Sequence, residues 1–363
     1  MNENPLGETE TQIRTQIRTE AEADTETGAG TEAGAGTEAG AGTEAGAGTE
    51  AGAGTYDVVV VGGGAAGLSA ALVLGRARRR TLVVDAGEPR NAPAAHMQGY
   101  LTRDGMSPAD FLAAGRQEIA AYGVDRTHGL VTGAVPHGDA GFALTLADGR
   151  RLRARRLVVT TGLADELPAV DGVAERWGKD VLHCPYCHGW EVRDRAFGVL
   201  AHPVMPAHQA LMVSQWSPDV TLFLHTAPDP SPEDTARLAA AGVTVVTGEV
   251  AGLVVEEGGL TGVRMADGRV VPREVLFVGT RTRPRDGLLT ALGAATHETP
   301  LGTFVTVDET FRTSVPGVWA AGNVIGAQEQ VVNAASGGYR AAAMVNADLL
   351  FADLDRKAGA GVA

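Results

Sequence analysis

The chain has 363 residues, 44% of them apolar, and a formal charge of −14. Residues 1–55 hold 11 acids and two arginines, a net −9 of that −14, so the remaining residues carry only −5 and nothing favours nucleic acid or an anionic membrane as partner. Two cysteines make no disulfide scaffold and fit a reducing cytoplasm, and no apolar run approaches the roughly 18 residues of a membrane span.

The opening Met1-Asn2-Glu3-Asn4-Pro5 lacks a basic region and an apolar core, so no secretory signal is expected. From Thr31 the hexapeptide Thr-Glu-Ala-Gly-Ala-Gly repeats four times to Gly54. Rich in glycine and without aromatics, residues 1–55 cannot bury enough surface to offset chain entropy, and a disordered tail is expected. The remainder is long enough for about two domains.

Tyr56-Asp57-Val58-Val59-Val60-Val61 reads as a strand buried on both faces. Gly62-Gly63-Gly64-Ala65-Ala66-Gly67 and an alanine- and leucine-rich helix to about Arg78 follow, then a strand from Thr81 to Val84 ending at Asp85. In that context the glycines form a dinucleotide fingerprint. Gly62 allows the tight turn, Gly64 lets backbone reach a pyrophosphate, and Gly67 brings helix and strand together. The helix N-terminus faces the phosphates. Asp85 can accept from ribose hydroxyls and would repel a 2′-phosphate, which points to FAD or NAD rather than NADP.

A helix is expected from Pro108 to Tyr122, and a hairpin over Phe142–Leu146, Asp148-Gly149 and Arg151 onward. It leads into Leu157-Val158-Val159-Thr160-Thr161-Gly162, and Leu163–Asp171 reads as a crossover linker. A second unit then repeats the plan. Its strands are Phe197–Leu200, Val220–Leu224 and Val243–Val246; its helices start near Ala207 and at Thr235; its hairpin turns at Asp267-Gly268. The run Val275–Thr280 echoes Leu157–Gly162. Val318-Trp319-Ala320-Ala321-Gly322-Asn323 is a last strand, and a helix from about Gln330 to Leu350 closes the chain, with 351–363 expected as a tail.

Both cysteines lie in His183-Cys184-Pro185-Tyr186-Cys187-His188. Two thiols two residues apart can close a small disulfide ring, a helix start can depress the pKa of the first, and His188 can move a proton near neutral pH. Three other readings compete: buried structural cysteines, half a zinc site, and c-type haem attachment, which Cys-x-x-Cys-His matches literally. The other histidines show no ligand spacing, so no metal is expected, and haem attachment would want an export signal.

With Gly62-x-Gly64-x-x-Gly67, Thr161-Gly162, Cys184-Pro185-Tyr186-Cys187 and Ala321-Gly322-Asn323 in that order, the chain resembles the low-molecular-weight thioredoxin reductases over about residues 55–350. The resemblance implies an α/β fold of two Rossmann-like, three-layer nucleotide-binding domains, the second inserted into the first, each with a β-meander. The expected boundaries are 56–167 and 286–350 for the FAD-binding domain and 168–285 for the insert. The resemblance implies FAD contacts at Gly62, Gly64, Ala65, Ala66, Gly67, Asp85, Gly162, Gly322, Asn323, Gln330 and Val331. It implies Cys187 facing the flavin, Cys184 exchanging with substrate, and a homodimer. His188 stands where those reductases carry an acid, and Gly322-Asn323 stands for their Gly-Asp.

The largest departure follows Phe197–Leu200. In place of a Gly-x-Gly-x-x-Ala turn for NADPH the chain has Ala201-His202-Pro203-Val204-Met205-Pro206, and in place of a His-Arg-Arg clamp it has His225-Thr226-Ala227-Pro228-Asp229. Proline offers no N–H to a phosphate. A flavin and a dithiol without a nicotinamide site resemble the gliotoxin- and holomycin-type dithiol oxidases. In that reading a small-molecule dithiol reduces the disulfide and then the flavin, O₂ takes the electrons as hydrogen peroxide, and His188 is the base. The alternatives are a reductase of a protein disulfide such as thioredoxin, driven by NADPH or another donor, and a flavin redox sensor without turnover.

Overall fold

The computed structural model describes residues 55–138 and 141–360; the tail expected over 1–55 lies outside them except for Thr55. In chain order the first elements are β1 (Tyr56–Val61), α1 (Ala65–Arg76), β2 (Thr81–Asp85), α2 (Pro108–Ala120), β3 (Asp125–His128), β4 (Val131–His137), β5 (Gly141–Leu146), β6 (Arg151–Val159) and β7 (Leu163–Glu166). Then come α3 (Val173–Arg176), β8 (Val181–Leu182), α4 (Pro185–His188), β9 (Phe197–Leu200), α5 (His208–Val213), β10 (Val220–Phe223), α6 (Pro232–Ala240) and β11 (Thr244–Val246). The chain continues through β12 (Val250–Glu256), β13 (Gly259–Met265), β14 (Val270–Pro272), β15 (Val275–Val278), β16 (Arg281–Pro284) and α7 (Gly287–Ala291). The last elements are β17 (Thr296–Thr299), β18 (Gly302–Val305), β19 (Val318–Ala320) and α8 (Val331–Ala360).

The first sheet runs β3-β2-β1-β6-β5-β4, with β19 also pairing β6. β1, β2, β3, β6 and β19 pair in parallel; β4, β5 and β6 form the antiparallel meander. The valine run of β1 feeds two cores because alternate side chains leave a strand on opposite faces. Val58 and Val60 pack with Leu74 of α1 and Val345 and Leu349 of α8. Val59 and Val61 pack with Leu144 and Leu146 of the meander. Helices, sheet and meander are the three layers.

The second sheet, β11-β10-β9-β15-β8, is wholly parallel. Phe197, Val199, Leu222 and Phe277 meet Ala210 and Val213 of α5 on one face. Leu200, Phe223, Leu276 and Val278 meet Leu260, Val263 and Met265 of the meander β12-β13-β14 on the other. The expected α/β architecture, two Rossmann-like layers each with a meander, is what the chain builds. Among the described residues no helix is long and apolar enough to cross a membrane.

Two expectations are corrected. Leu163–Asp171 is no plain linker: β7 pairs antiparallel with β16, and the Thr161 hydroxyl donates to the Arg285 carbonyl at 2.6 Å. Outgoing and returning crossings are thus stapled together. The closing helix continues past Leu350 to Ala360, so 351–360 is no tail. Asp353 explains the extension, since it pairs with Arg155 and with Arg79 at 3.0 Å. Those two guanidinium groups pull its pKa down to about 2.

Candidate redox site

The turn between β1 and α1 is built by close approach. Gly62 has φ +107°, a conformation side chains disfavour, and a Cβ there would strike the Thr160 carbonyl. A Cβ on Gly67 would strike the Gly62 carbonyl. At Gly64, by contrast, a Cβ would meet nothing within 4 Å. Gly64 is the N-cap of α1, which has no side-chain cap and no acid in its first turn. Its unpaired N–H groups therefore open onto free space, which fits a phosphate. Asp85 Oδ1 accepts the Gly63 N–H at 3.1 Å, and Oδ2 lies 3.9 Å from Arg116 Nη2. One carboxylate oxygen is thus spent on the turn, and the other accepts no hydrogen bond among the described residues.

Cys184 and Cys187 form a disulfide with Cα atoms 5.2 Å apart. Cys184 is the N-cap of α4, with extended backbone (φ −97°), and Pro185 sets the first helical residue. Two side chains hold the stretch before it. His183 Nδ1 lies 3.0 Å from the Val278 carbonyl, so Nδ1 carries the proton and donates; burial keeps the ring's pKa below the ordinary histidine value. Gln209 of α5 donates to the His183 carbonyl at 2.6 Å. Tyr186 stacks edge-on against Trp216 with centroids 5.7 Å apart, yet stays 68% exposed.

His188 closes the short helix. Burial lowers its pKa, with Glu191 pulling the other way, so the ring is neutral at neutral pH. No described residue hydrogen-bonds that ring, which leaves a nitrogen free to accept a proton. Gln330, expected against a cofactor, also stands over the disulfide: Nε2 is 3.4 Å from Cys184 Sγ and Oε1 3.3 Å from Cys187 Sγ. Asn323 donates through Nδ2 to the Gly326 and Ala327 carbonyls at 3.1 and 3.2 Å, so its amide shapes the loop before α8 and only its oxygen is free for a ligand.

A cavity of about 990 Å³ joins these features. Of the residues expected at the site, Gly62, Gly64, Ala65, Ala66, Asp85, Gly162, Cys184, Cys187, His188, Gly322, Asn323, Gln330 and Val331 all line it; Gly67 lies behind the wall, packed on Gly62. Its size suits a large cofactor with room beside it. The sequence reading missed Arg90, Asp165 and Thr280, which also line the cavity. Arg90 grips Asp165 with Nε at 2.7 Å and Nη2 at 2.8 Å, and Thr280 donates to Asp165 at 2.7 Å. Burial pushes the Asp165 carboxyl up, but Arg90 and Thr280 outweigh it and hold the pKa below the usual range. Nothing local marks these residues; they meet only through the β7–β16 crossing. Among the described residues no group of three or more His, Cys, Asp or Glu could hold a metal ion.

The turn after β9 has a different content. Pro203 and Pro206 have no N–H, and the Val204 N–H donates to His202 Nδ1 at 3.1 Å. The His202 ring packs over Gly279, where a Cβ would come within 2.8 Å of it. Burial holds that ring's pKa below the ordinary value. At the end of β10, His225 Nδ1 accepts the Val250 N–H at 3.0 Å and is used up in the fold.

A dinucleotide-binding sheet that shares its cavity with a disulfide held on a second such sheet defines a flavin-linked disulfide oxidoreductase. The chain belongs to the pyridine nucleotide-disulphide oxidoreductase family, whose model matches residues 56–201 and 226–338. The match breaks over 202–225, the segment with the proline-bearing turn. "Thioredoxin reductase sirT" of Leptosphaeria maculans is 31% identical over 319 residues, 82% of this chain and 96% of that protein. "Thioredoxin reductase tcpT" of Claviceps purpurea is 32% identical over 312 residues, 82% and 95%. Among solved structures, HlmI is 48% identical with a TM-score of 0.80, over 85% of this chain and 98% of that one. An oxidoreductase from Agrobacterium tumefaciens is 37% identical with a TM-score of 0.77, over 82% and 99%.

Proposed function

We propose that the protein oxidises a dithiol to a disulfide through Cys184 and Cys187, with FAD as its cofactor and O₂ as the final acceptor. The observation that carries this reading is the turn at 201–206. A nicotinamide nucleotide would need its N–H groups, but two are absent as prolines and a third is taken by His202. The family's usual electron donor thus lacks a phosphate seat, while the disulfide and the first turn remain fully built.

FAD, when bound, would supply the two-electron acceptor for the reduced Cys184–Cys187 pair, and passing those electrons to O₂ would give hydrogen peroxide. In this reading Gly62, Gly64 and the N-terminus of α1 hold the pyrophosphate, Asp85 the ribose, and Asn323 and Val331 flank the flavin end. His188, neutral and unpartnered, takes the proton from a substrate thiol. The thiolate attacks Cys184, and Cys187 is the sulfur turned toward the cofactor. Residues 56–167 and 286–360 form the flavin-binding unit and 168–285 the insert. A homodimer in the cytoplasm completes the proposal, and the exposed Tyr339, Phe351 and Leu354 of α8 offer it a surface.

The names of the Leptosphaeria and Claviceps relatives favour a second reading, reduction of a thioredoxin. One experiment separates the two. Under anaerobic conditions dithiothreitol should bleach the flavin and NADPH should not, and admitting air should restore the colour with peroxide formed. Rapid bleaching by NADPH would overturn the oxidase reading. Bleaching by neither would point to a sensor without turnover.

A further inference from the structure

Gln330 meets the two sulfurs with different ends of its amide. Nε2, a donor, lies 3.4 Å from Cys184 Sγ; Oε1, an acceptor, lies 3.3 Å from Cys187 Sγ. The backbone that carries the side chain is anchored. Gln330 is the residue before the 30-residue α8, and its carbonyl accepts the Ala334 N–H at 2.8 Å. The N-terminus of that helix adds positive potential beside the sulfurs. A disulfide sulfur has no hydrogen to give, so only the Cys184 contact is a hydrogen bond. At Cys187 oxygen lone pairs face the sulfur.

We infer that Gln330 polarises the cysteine pair, favouring a thiolate on Cys184 and disfavouring one on Cys187. The inference rests on the reading of Cys184 as the exchanging sulfur. In the first displacement a substrate thiolate attacks Cys184 Sγ, the Cys184–Cys187 bond breaks, and its electron pair goes to Cys187. In the second, the other substrate thiolate attacks the substrate sulfur bonded to Cys184. That bond breaks and its pair leaves on Cys184. The substrate loses two electrons and two protons to become a disulfide; one proton goes to His188 and the other to solvent, and the pair of cysteines gains the two electrons. The Nε2–H donor stabilises Cys184 at the moment it leaves, which speeds product release, because a stabilised thiolate leaves faster. Cys187, left beside a carbonyl oxygen, is the less stable anion and the one from which the electrons move on.

The titratable and charged groups lining the cavity on the cysteine-bearing turn and the elements beside it include His183, Tyr186, His188, His202, His208, Glu329 and the Arg90–Asp165 pair. All are kept in the test, so differences belong to Gln330. Holoenzyme carrying Cys187→Ser or Cys184→Ser retains one thiol, whose alkylation by iodoacetamide is followed against pH by peptide mass. With Cys187→Ser, adding Gln330→Leu should raise the Cys184 midpoint by about one pH unit, roughly tenfold slower alkylation on the acid side. With Cys184→Ser, it should not raise the Cys187 midpoint. Gln330→Lys, which restores a donor, should return the Cys184 midpoint to the original value or below. Retained flavin absorbance certifies the fold of each variant. An unmoved Cys184, an equal rise at both sulfurs, or identical behaviour of the Leu and Lys variants would overturn the inference. No dithiol turnover enters the readout, so failure of the oxidase reading and failure of this one are seen separately.

Discussion

Arg90 and Asp165 form a forked ion pair at the crossing between the two sheets, with N–O distances of 2.7 and 2.8 Å. Arg90 also donates to the Ala327 carbonyl at 3.2 Å, and Asp165 accepts from Thr280. The pair therefore ties the first crossing, the end of the insert's sheet and the loop before α8 into one polar knot. Asp165→Asn should destabilise the protein at pH 7 by about 2 kcal/mol, since removing one partner of a largely buried pair leaves the other uncompensated. The Asp165 pKa is depressed in the fold. Its contribution is thus present above the ordinary aspartate pKa and lost as pH falls through the folded value. Denaturant melts of both proteins should converge in acid; a gap that persists there would assign the loss to packing.

Loss of either cysteine should stop the flow of electrons from dithiol to flavin. Cys187→Ser should bind FAD normally and resist reduction by dithiothreitol, with at least a hundredfold slower bleaching. Cys184→Ser should lose substrate exchange equally. Stopped-flow flavin absorbance reads both, and wild-type bleaching by Cys187→Ser would remove it from its assigned place.

His188 sets the expected pH profile. Its pKa lies below the ordinary histidine value because of burial, so the proposed base should be unprotonated at pH 7 and lost only in acid below the ordinary histidine range. The wild-type kcat/KM should be flat above neutrality and decline in mild acid. His188→Ala should be slower by about 10²- to 10⁴-fold at pH 7, the usual range for a general base, and should lack that limb.

Gly64 and Gly67 separate binding from folding. Gly64→Ala meets open space at φ −78°, which alanine adopts freely, so the chain should fold and lose flavin. Gly67→Ala drives a methyl into the Gly62 carbonyl and should not yield folded protein. Expression with flavin-to-protein ratio and a thermal melt distinguishes the outcomes; full flavin occupancy in Gly64→Ala would move the pyrophosphate elsewhere.

Much of this was legible in the chain because the signals are local. Val58–Val61, the three spaced glycines and Asp85 announce a βαβ unit within thirty residues, and Cys184–Cys187 need only their own spacing. What stayed hidden depends on distant partners. Leu163–Glu166 has no alternation and becomes a strand only because Arg281–Pro284 pairs with it. Asp353 extends α8 only because Arg79 and Arg155 reach it. One signal was present and unread: Gly337-Gly338 in mid-helix costs about 1 kcal/mol per residue in propensity, which asks for a packing reason. A Cβ on Gly338 would strike the Ala66 carbonyl, so this is where α8 crosses α1.

The imidazole of His202 lies where Gly279 leaves out a side chain, and Pro203 and Pro206 follow it with φ fixed by their rings. Under the proposed oxidase reading, a corner filled in this way has a consequence beyond binding: reduced nicotinamide cannot feed electrons back to undo the product, so futile cycling is blocked by shape, without an inhibitor.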